Sequence, residues 1–213
     1  MSDLENRRPL TSRDTALAKR TATWLTGRAV TPNQISIAAM GFAALGFLFF
    51  WAASASGPWL GGLCLLLAAA MCQARLVCNL LDGMVAVEGG KGTKDGPFWN
   101  EAPDRVSDIL FFAGAGLAAG APALGWAAAA FAVGTAYLRE LGRAEGFPPD
   151  FSGPMAKQHR MAVLTLGAVL AAFEPIFTGT PVVLRLALWV VVLGAALTAV
   201  RRSHHLIRAL KAK

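Results

Sequence analysis

Between residues 79 and 108 the chain reads NLLDGMVAVEGGKGTKDGPFWNEAPDRVSD, placing six acidic residues and two asparagines between runs that are otherwise almost wholly apolar. Charged side chains in apolar surroundings are costly and are retained where they bind ions, take part in chemistry or pair with one another. On a continuous helix Arg75, Asn79, Asp82 and Ala86 fall at i, i+4, i+7 and i+11 and share one face. Asn100, Asp104 and Asp108 fall at i, i+4 and i+8 on the next helix, with Glu101 bordering Asp104. Two such stripes at the same depth bring Asp82 and Asp104 together, and both carboxylates stay ionised at low cost only with a cation between them. Oxygen donors without His or Cys favour a hard ion, Mg²⁺ or Mn²⁺.

Each residue also has a plainer reading. Asn79 suits a hydrogen bond across a helix interface. Asn100 suits a helix N-cap, since Pro103 fits a first helical turn. Glu88, Asp95 and Glu101 suit solvated loop charges, whereas Asp82 and Asp104 lie too deep for that. Gly83 and Ala86 leave the helix surface beside Asp82 without bulk, which admits either a ligand or a closely packed helix.

The elements that must hold these residues are membrane helices. Hydrophobic residues make up 55% of the 213 positions and charged residues only 15%. Apolar runs at about 33–54, 59–86, 103–121, 123–142, 160–178 and 182–201 each have spanning length. The expected fold is all-α, a six-span polytopic domain over 31–213 preceded by a cytoplasmic segment over 1–30. Within that segment Leu17, Trp24 and Leu25 recur among basic residues at a helical rhythm, which predicts an amphipathic helix lying on the membrane surface. The other reading is a solvated basic tail. Thr31 is placed to cap a helix whose first turn accepts Pro32.

The net charge of +7 is spread over every predicted cytoplasmic segment, including Arg7, Arg8 and Arg13 before the first span and Arg201, Arg202 and Arg208 after the last. This fits anionic headgroups and excludes a focused nucleic-acid surface. By the positive-inside rule both termini are cytoplasmic and the acidic stretch lies at the cytoplasmic boundary. Cys64, Cys72 and Cys78 form no CxxC pair and read as packing residues, and His204 and His205 as surface residues of a basic tail.

The stretch Asn79-x2-Asp82-Gly83-x2-Ala86-Val87-x8-Gly96-x3-Asn100-x3-Asp104 resembles the CDP-alcohol phosphatidyltransferase motif D-x2-D-G-x2-A-R-x8-G-x3-D-x3-D with every interval kept. The similarity extends to the Thr31-Pro32-Asn33 entry, the six spans and the Gly153-Pro154-x2-Lys157 stretch. Three identities depart: Asn79 and Asn100 replace aspartates and Val87 replaces arginine. Asp104-x3-Asp108 offers a second register that restores both acids but needs a longer connection. The ungapped register is preferred and leaves Asp108 as an extra carboxylate one turn deeper.

The resemblance implies transfer of a phosphatidyl group from CDP-diacylglycerol to an alcohol acceptor with release of CMP, in the bacterial inner membrane. By carry-over Asp82 and Asp104 are catalytic, and Asp82, Asp104, Asn79, Asn100, Asp108 and Glu101 are candidate metal ligands. Gly83, Ala86, Gly96 and Asn33 are candidate nucleotide contacts, and Arg139, Lys157 and Arg160 candidate acceptor-phosphate contacts. Positive-inside anchoring accounts for the same three basic residues equally well. The expected partners are CDP-diacylglycerol, a small alcohol or phospho-alcohol, membrane lipids and a second copy of the chain. Two other functions remain open: a lipid-nucleotide binding protein with little turnover, and a small transporter using intramembrane carboxylates.

Overall fold

The computed structural model describes residues 15–87, 89–176 and 182–213, all of it helix and connection. Arg7, Arg8, Arg13 and Glu88 lie outside the described residues. The described residues form seven α-helices in order: α1 (Ala16–Gly27), α2 (Pro32–Ser54), α3 (Pro58–Val87), α4 (Gly96–Ala118), α5 (Pro122–Ala144), α6 (Lys157–Phe173) and α7 (Val182–Lys211).

Local chemistry fixes the boundaries. Thr31 caps α2 in a reciprocal capping box with Gln34, and Pro32 stands in the first turn, as its spacing predicts. Pro97 and Pro122 open α4 and α5 in the same way. The start of α4 corrects the sequence reading. The helix begins at Gly96, seven residues before Pro103, so Asn100 is an internal helical residue and Asp95 takes the N-cap position. Pro103 is accommodated inside the helix, where it leaves one carbonyl without its usual partner.

α2 packs on α3 and α4, α4 on α5, α5 on α7, α7 on α6 and α6 on α3, so the six long helices close into a ring. Its core is made of Phe50, Phe111, Phe112, Met161, Leu164, Leu184 and Leu188 among small residues such as Ala43, Ala68 and Ala132. Small residues set the spacing: a Cβ at Gly116 would lie 2.8 Å from the Gly125 Cα, so α4 and α5 cross backbone to backbone there. α1 lies against α3, burying Ala18 and Ala22 beside Leu81, Met84 and Val85.

α2, α3 and α7 are long and apolar enough to cross a membrane by length and composition. α4 and α5 are 23 residues each but carry charges near one end, and α6 has only 17 residues. Large apolar side chains, among them Trp51, Trp59, Leu186, Trp189, Leu193 and Leu197, remain exposed on the outer faces. Apolar surface of that extent fits a lipid solvent and marks a membrane protein.

Candidate active site

The polar ends of α2 to α6 surround a cleft of about 810 Å³. Every candidate site residue except Asp108 lines it: Asn33, Asn79, Asp82, Gly83, Ala86, Gly96, Asn100, Glu101, Asp104, Arg139, Lys157 and Arg160. The α3 and α4 stripes therefore face one another, as the intervals between their polar residues require.

Asp104, on α4, is almost wholly surrounded by donors. Its Oδ1 accepts from Arg75 Nη2 at 2.9 Å and from Asn79 Nδ2 at 2.7 Å. Its Oδ2 pairs closely with Lys157 Nζ and lies 3.5 Å from Arg105 Nη2. Asp82, on α3, is held differently. Its Oδ2 accepts from the Ser36 hydroxyl at 2.9 Å, and among the described residues no ion pair reaches it.

Asp108 lies beneath the cleft. It is fully buried, accepts from Arg160 Nη2 at 3.0 Å and lies 3.7 Å from Arg75 Nη2. Arg160 also donates to Thr135 Oγ1 at 3.0 Å and to the Met155 carbonyl at 3.2 Å. Arg202 of α7 reaches the Thr135 carbonyl at 2.7 Å. This floor network ties α3, α4, α5, α6 and α7 together. Asp108 thus has guanidinium partners in place of an opening to the cleft.

On the cleft wall Glu101 accepts two hydrogen bonds from Arg139 Nη2, at 2.5 and 2.6 Å. Arg139 Nε also donates to Glu140 at 2.8 Å. At the cleft mouth Asn33 Nδ2 donates to Asp95 Oδ2 at 3.3 Å, and Trp99 Nε1 to the same oxygen at 2.9 Å. Asp95 lies outside the spans, and hydrogen bonds from Thr93 and then Trp99 hold its carboxyl below its ordinary value.

Lys157 owes its position to the turn before α6. Gly153 adopts φ +111°, and a Cβ there would lie 2.5 Å from Thr198 Cγ2 on α7, so only glycine fits. Met155 N–H then donates to Thr198 Oγ1 at 3.0 Å, which pins the turn and aims the start of α6 at the cleft.

Three participants were not singled out as site residues from the sequence. Ser36 follows Pro32 by one helical turn, which could have placed it beside the Thr31-Pro32-Asn33 entry. Arg75 was visible on the α3 polar face without a partner. Arg105 directly follows Asp104, but its partner depends on α4 continuing as helix through Pro103.

No protein-family profile matches the chain. The phosphatidylinositol phosphate synthase of Mycolicibacterium smegmatis is 28% identical over 136 residues, 61% of this chain and 60% of that protein. The likeness thus spans less than two thirds of the relative's length. The structure of Mycobacterium tuberculosis phosphatidylinositol phosphate synthase with CDP-DAG bound matches with a TM-score of 0.75 at 22% identity, over 90% of this chain and 94% of that one. The structure of the same protein with manganese and citrate matches with a TM-score of 0.74 at 22% identity, over 89% and 88%. The chain has the phosphatidylinositol phosphate synthase fold. The resemblance to CDP-alcohol phosphatidyltransferases therefore holds in sequence and in backbone.

The donor set suits a hard divalent ion. Asp82, Asp104, Asn79 and Asn100, whose side chains carry carboxylate or amide oxygens, all line one cleft from two helices. Among the described residues no three Asp, Glu, His or Cys gather as a metal-holding group, so any ion here meets fewer charges than four aspartates would supply.

Proposed function

We propose that the protein is a CDP-alcohol phosphotransferase that joins an alcohol to the phosphatidyl group of CDP-diacylglycerol and releases CMP. The observation that carries this reading is that Asn79, Asp82, Gly83, Ala86, Gly96, Asn100 and Asp104, the motif positions taken from two helices, line one shared cleft. The likeness to a structure with CDP-DAG bound supports it.

The acceptor hydroxyl oxygen attacks the lipid-bearing phosphorus, the bond from that phosphorus to the CMP oxygen breaks, and CMP leaves with its electron pair. Asp104 takes the hydroxyl proton, and Lys157 beside it holds the carboxylate in place and offsets charge on the phosphoryl oxygens. Asp82, with help from Asp104 and the Asn79 and Asn100 amide oxygens, would hold Mg²⁺ or Mn²⁺, which would supply further charge stabilisation. Gly83, Ala86 and Gly96 leave room for the cytidine diphosphate, and Asn33 borders it. Arg139, Lys157 and Arg160 favour an acceptor that carries a phosphate, and the relatives' names make inositol phosphate the first to test. Glu101 and Asp108 serve as partners of Arg139 and Arg160.

α2 to α7 make the six spans, with α4, α5 and α6 crossing as members of the closed ring. Both termini are cytoplasmic in a bacterial inner membrane, and a homodimer is the expected assembly. α1 lies at the interface: Leu17 and Trp24 are exposed, and Arg28 stacks 5.2 Å from the Trp24 ring, so apolar and basic groups meet at headgroup depth.

The test is CMP release by purified protein given CDP-diacylglycerol, Mg²⁺ or Mn²⁺ and a panel of alcohols, with Asp82→Ala as control. Acceptor-dependent release that disappears in the control is expected. CDP-diacylglycerol binding without release under any condition would refute the transferase and leave a binding protein, a reading favoured by the asparagines at 79 and 100.

A further inference from the structure

Asp104 and Asp82 face one cleft, yet their surroundings are opposite in charge. Asp104 has Arg75, Arg105 and Lys157 within ion-pair distance. Asp82 has the neutral Ser36 hydroxyl and no ion pair among the described residues. Asn79 Nδ2 lies 2.7 Å from Asp104 Oδ1, a separation at which an aspartate in its place would set two carboxylate oxygens in contact and demand a cation between them. The amide meets the requirement by donating a hydrogen bond. Arg75 supplies the charge: it is fully buried, contacts Asp104 at 2.9 Å and Asp108 at 3.7 Å, and its Nε and Nη1 have no hydrogen-bond partner. Unpartnered buried donors are a cost that an apolar side chain would avoid, so the compensating benefit of this guanidinium is its charge beside the two carboxylates.

We propose that Asn79 and Arg75 together replace one divalent cation beside Asp104, so that the site works with a single divalent ion held on the Asp82 side. Many phosphoryl-transfer sites use two ions a few ångströms apart, clamping the attacking and leaving oxygens. Here the guanidinium is a fixed cation built into α3, acting on the substrate through Asp104. Arg75 is accordingly a positioning residue. The inference rests on the transferase reading above, but its test does not depend on turnover.

The experiment counts Mn²⁺ bound per chain by the full-length protein in detergent micelles, from the loss of the free-ion electron paramagnetic resonance signal. Wild type is expected to bind one ion, and Asp82→Asn to weaken that binding at least a hundredfold. Arg75→Lys keeps a cation and should still bind one. Arg75→Leu combined with Asn79→Asp should bind two. Two ions in wild type, none in wild type, or binding that survives Asp82→Asn would each overturn the proposal. The wild-type count needs no variant to fold. CMP release measured on the same preparation separates the two conclusions: one bound ion without release refutes the transferase, and two bound ions with release refute the single-ion site.

Discussion

Asp82 and Asp108 sit on the same acidic stretch, and neutralising them should have opposite consequences. Asp108 is fully buried and its partner Arg160 is 3% exposed, with 3.0 Å between their charged atoms. Asp108→Asn keeps a carbonyl for Arg160 but leaves that guanidinium without a counter-charge, and Arg75 then has Asp104 alone. Stranding one half of a buried pair costs about 3–5 kcal/mol. At the lower figure the folded-to-unfolded ratio falls by roughly a hundredfold or more, since each 1.36 kcal/mol is about tenfold. Asp82→Asn removes a carboxylate whose side-chain hydrogen bond among the described residues comes from the Ser36 hydroxyl, and an amide oxygen can still accept that bond. Its cost to stability should stay within about 1 kcal/mol, the net worth of one neutral hydrogen bond. The assay is the temperature at which the monodisperse size-exclusion peak is lost in detergent, paired with CMP release. Asp108→Asn should melt well below wild type, and Asp82→Asn should melt near wild type with no release. An Asp108→Asn protein as stable as wild type would refute the floor network as a stabilising element.

Lys157→Ala should leave the protein folded, because Lys157 is partly exposed in the cleft, and lower kcat/KM by about 10²-fold through loss of a charge at Asp104; unchanged steady-state kinetics would remove Lys157 from the site. Gly116→Leu should prevent normal assembly, because its Cβ would meet the Gly125 Cα at 2.8 Å, and the yield of monodisperse protein reports it. Asp150 lies in the α5–α6 connection outside the spans, where burial alone would raise its carboxyl but hydrogen bonds from Ser152 and then His205 outweigh it and hold it below its ordinary value. A depressed carboxyl contributes stability that is full above its unfolded value and is lost as pH falls through the folded one. The turn that carries Lys157 should therefore loosen only at acid pH. Asp150→Asn should abolish that acid dependence, read as the pH profile of protease nicking between Gly146 and Gly153.

The helical class, the positions of the long helices and the shared face of Asn79 and Asp82 were legible because apolar runs and a 3.6-residue period dictate them. The start of α4 was misread because Pro97 and Pro103 both suit a first helical turn, and the apolar run drew the boundary to the second of them. That Asp82 and Asp104 line one cleft followed from the intervals within each helix together with the expectation that the two stripes lie at the same depth. Their partners did not: Ser36 is 46 residues from Asp82, Lys157 is 53 from Asp104, and Arg160 is 52 from Asp108. Such pairings depend on the order in which six helices close, which side-chain period cannot specify. Glu101 and Asp108 entered the ligand set by a count of carboxylates, a count that leaves out the Arg139 and Arg160 partners the fold brings to them.

Asp104 belongs to both the cleft and the floor, and that dual membership makes a sharper demand on the site than either acid alone. Arg75 reaches Asp104 from below, while Lys157 and Arg105 reach it from the cleft side. Neutralising Asp104 strands only part of that charge: Arg75 still has Asp108 at 3.7 Å, and Lys157 and Arg105, with side chains 24% and 19% exposed, can turn toward water. The cost in stability should therefore fall between the other two acids, at about 1–3 kcal/mol for a charged hydrogen-bonded group with partly solvated partners. CMP release should be lost as completely as in Asp82→Asn, because the hydroxyl proton then has no acceptor. The melting temperatures of the three amide variants should accordingly fall in the order Asp82, Asp104, Asp108, with the first two inactive. If Asp104→Asn melts below Asp108→Asn, the burden of the buried cations rests on Asp104, and the division between a catalytic cleft and a structural floor fails.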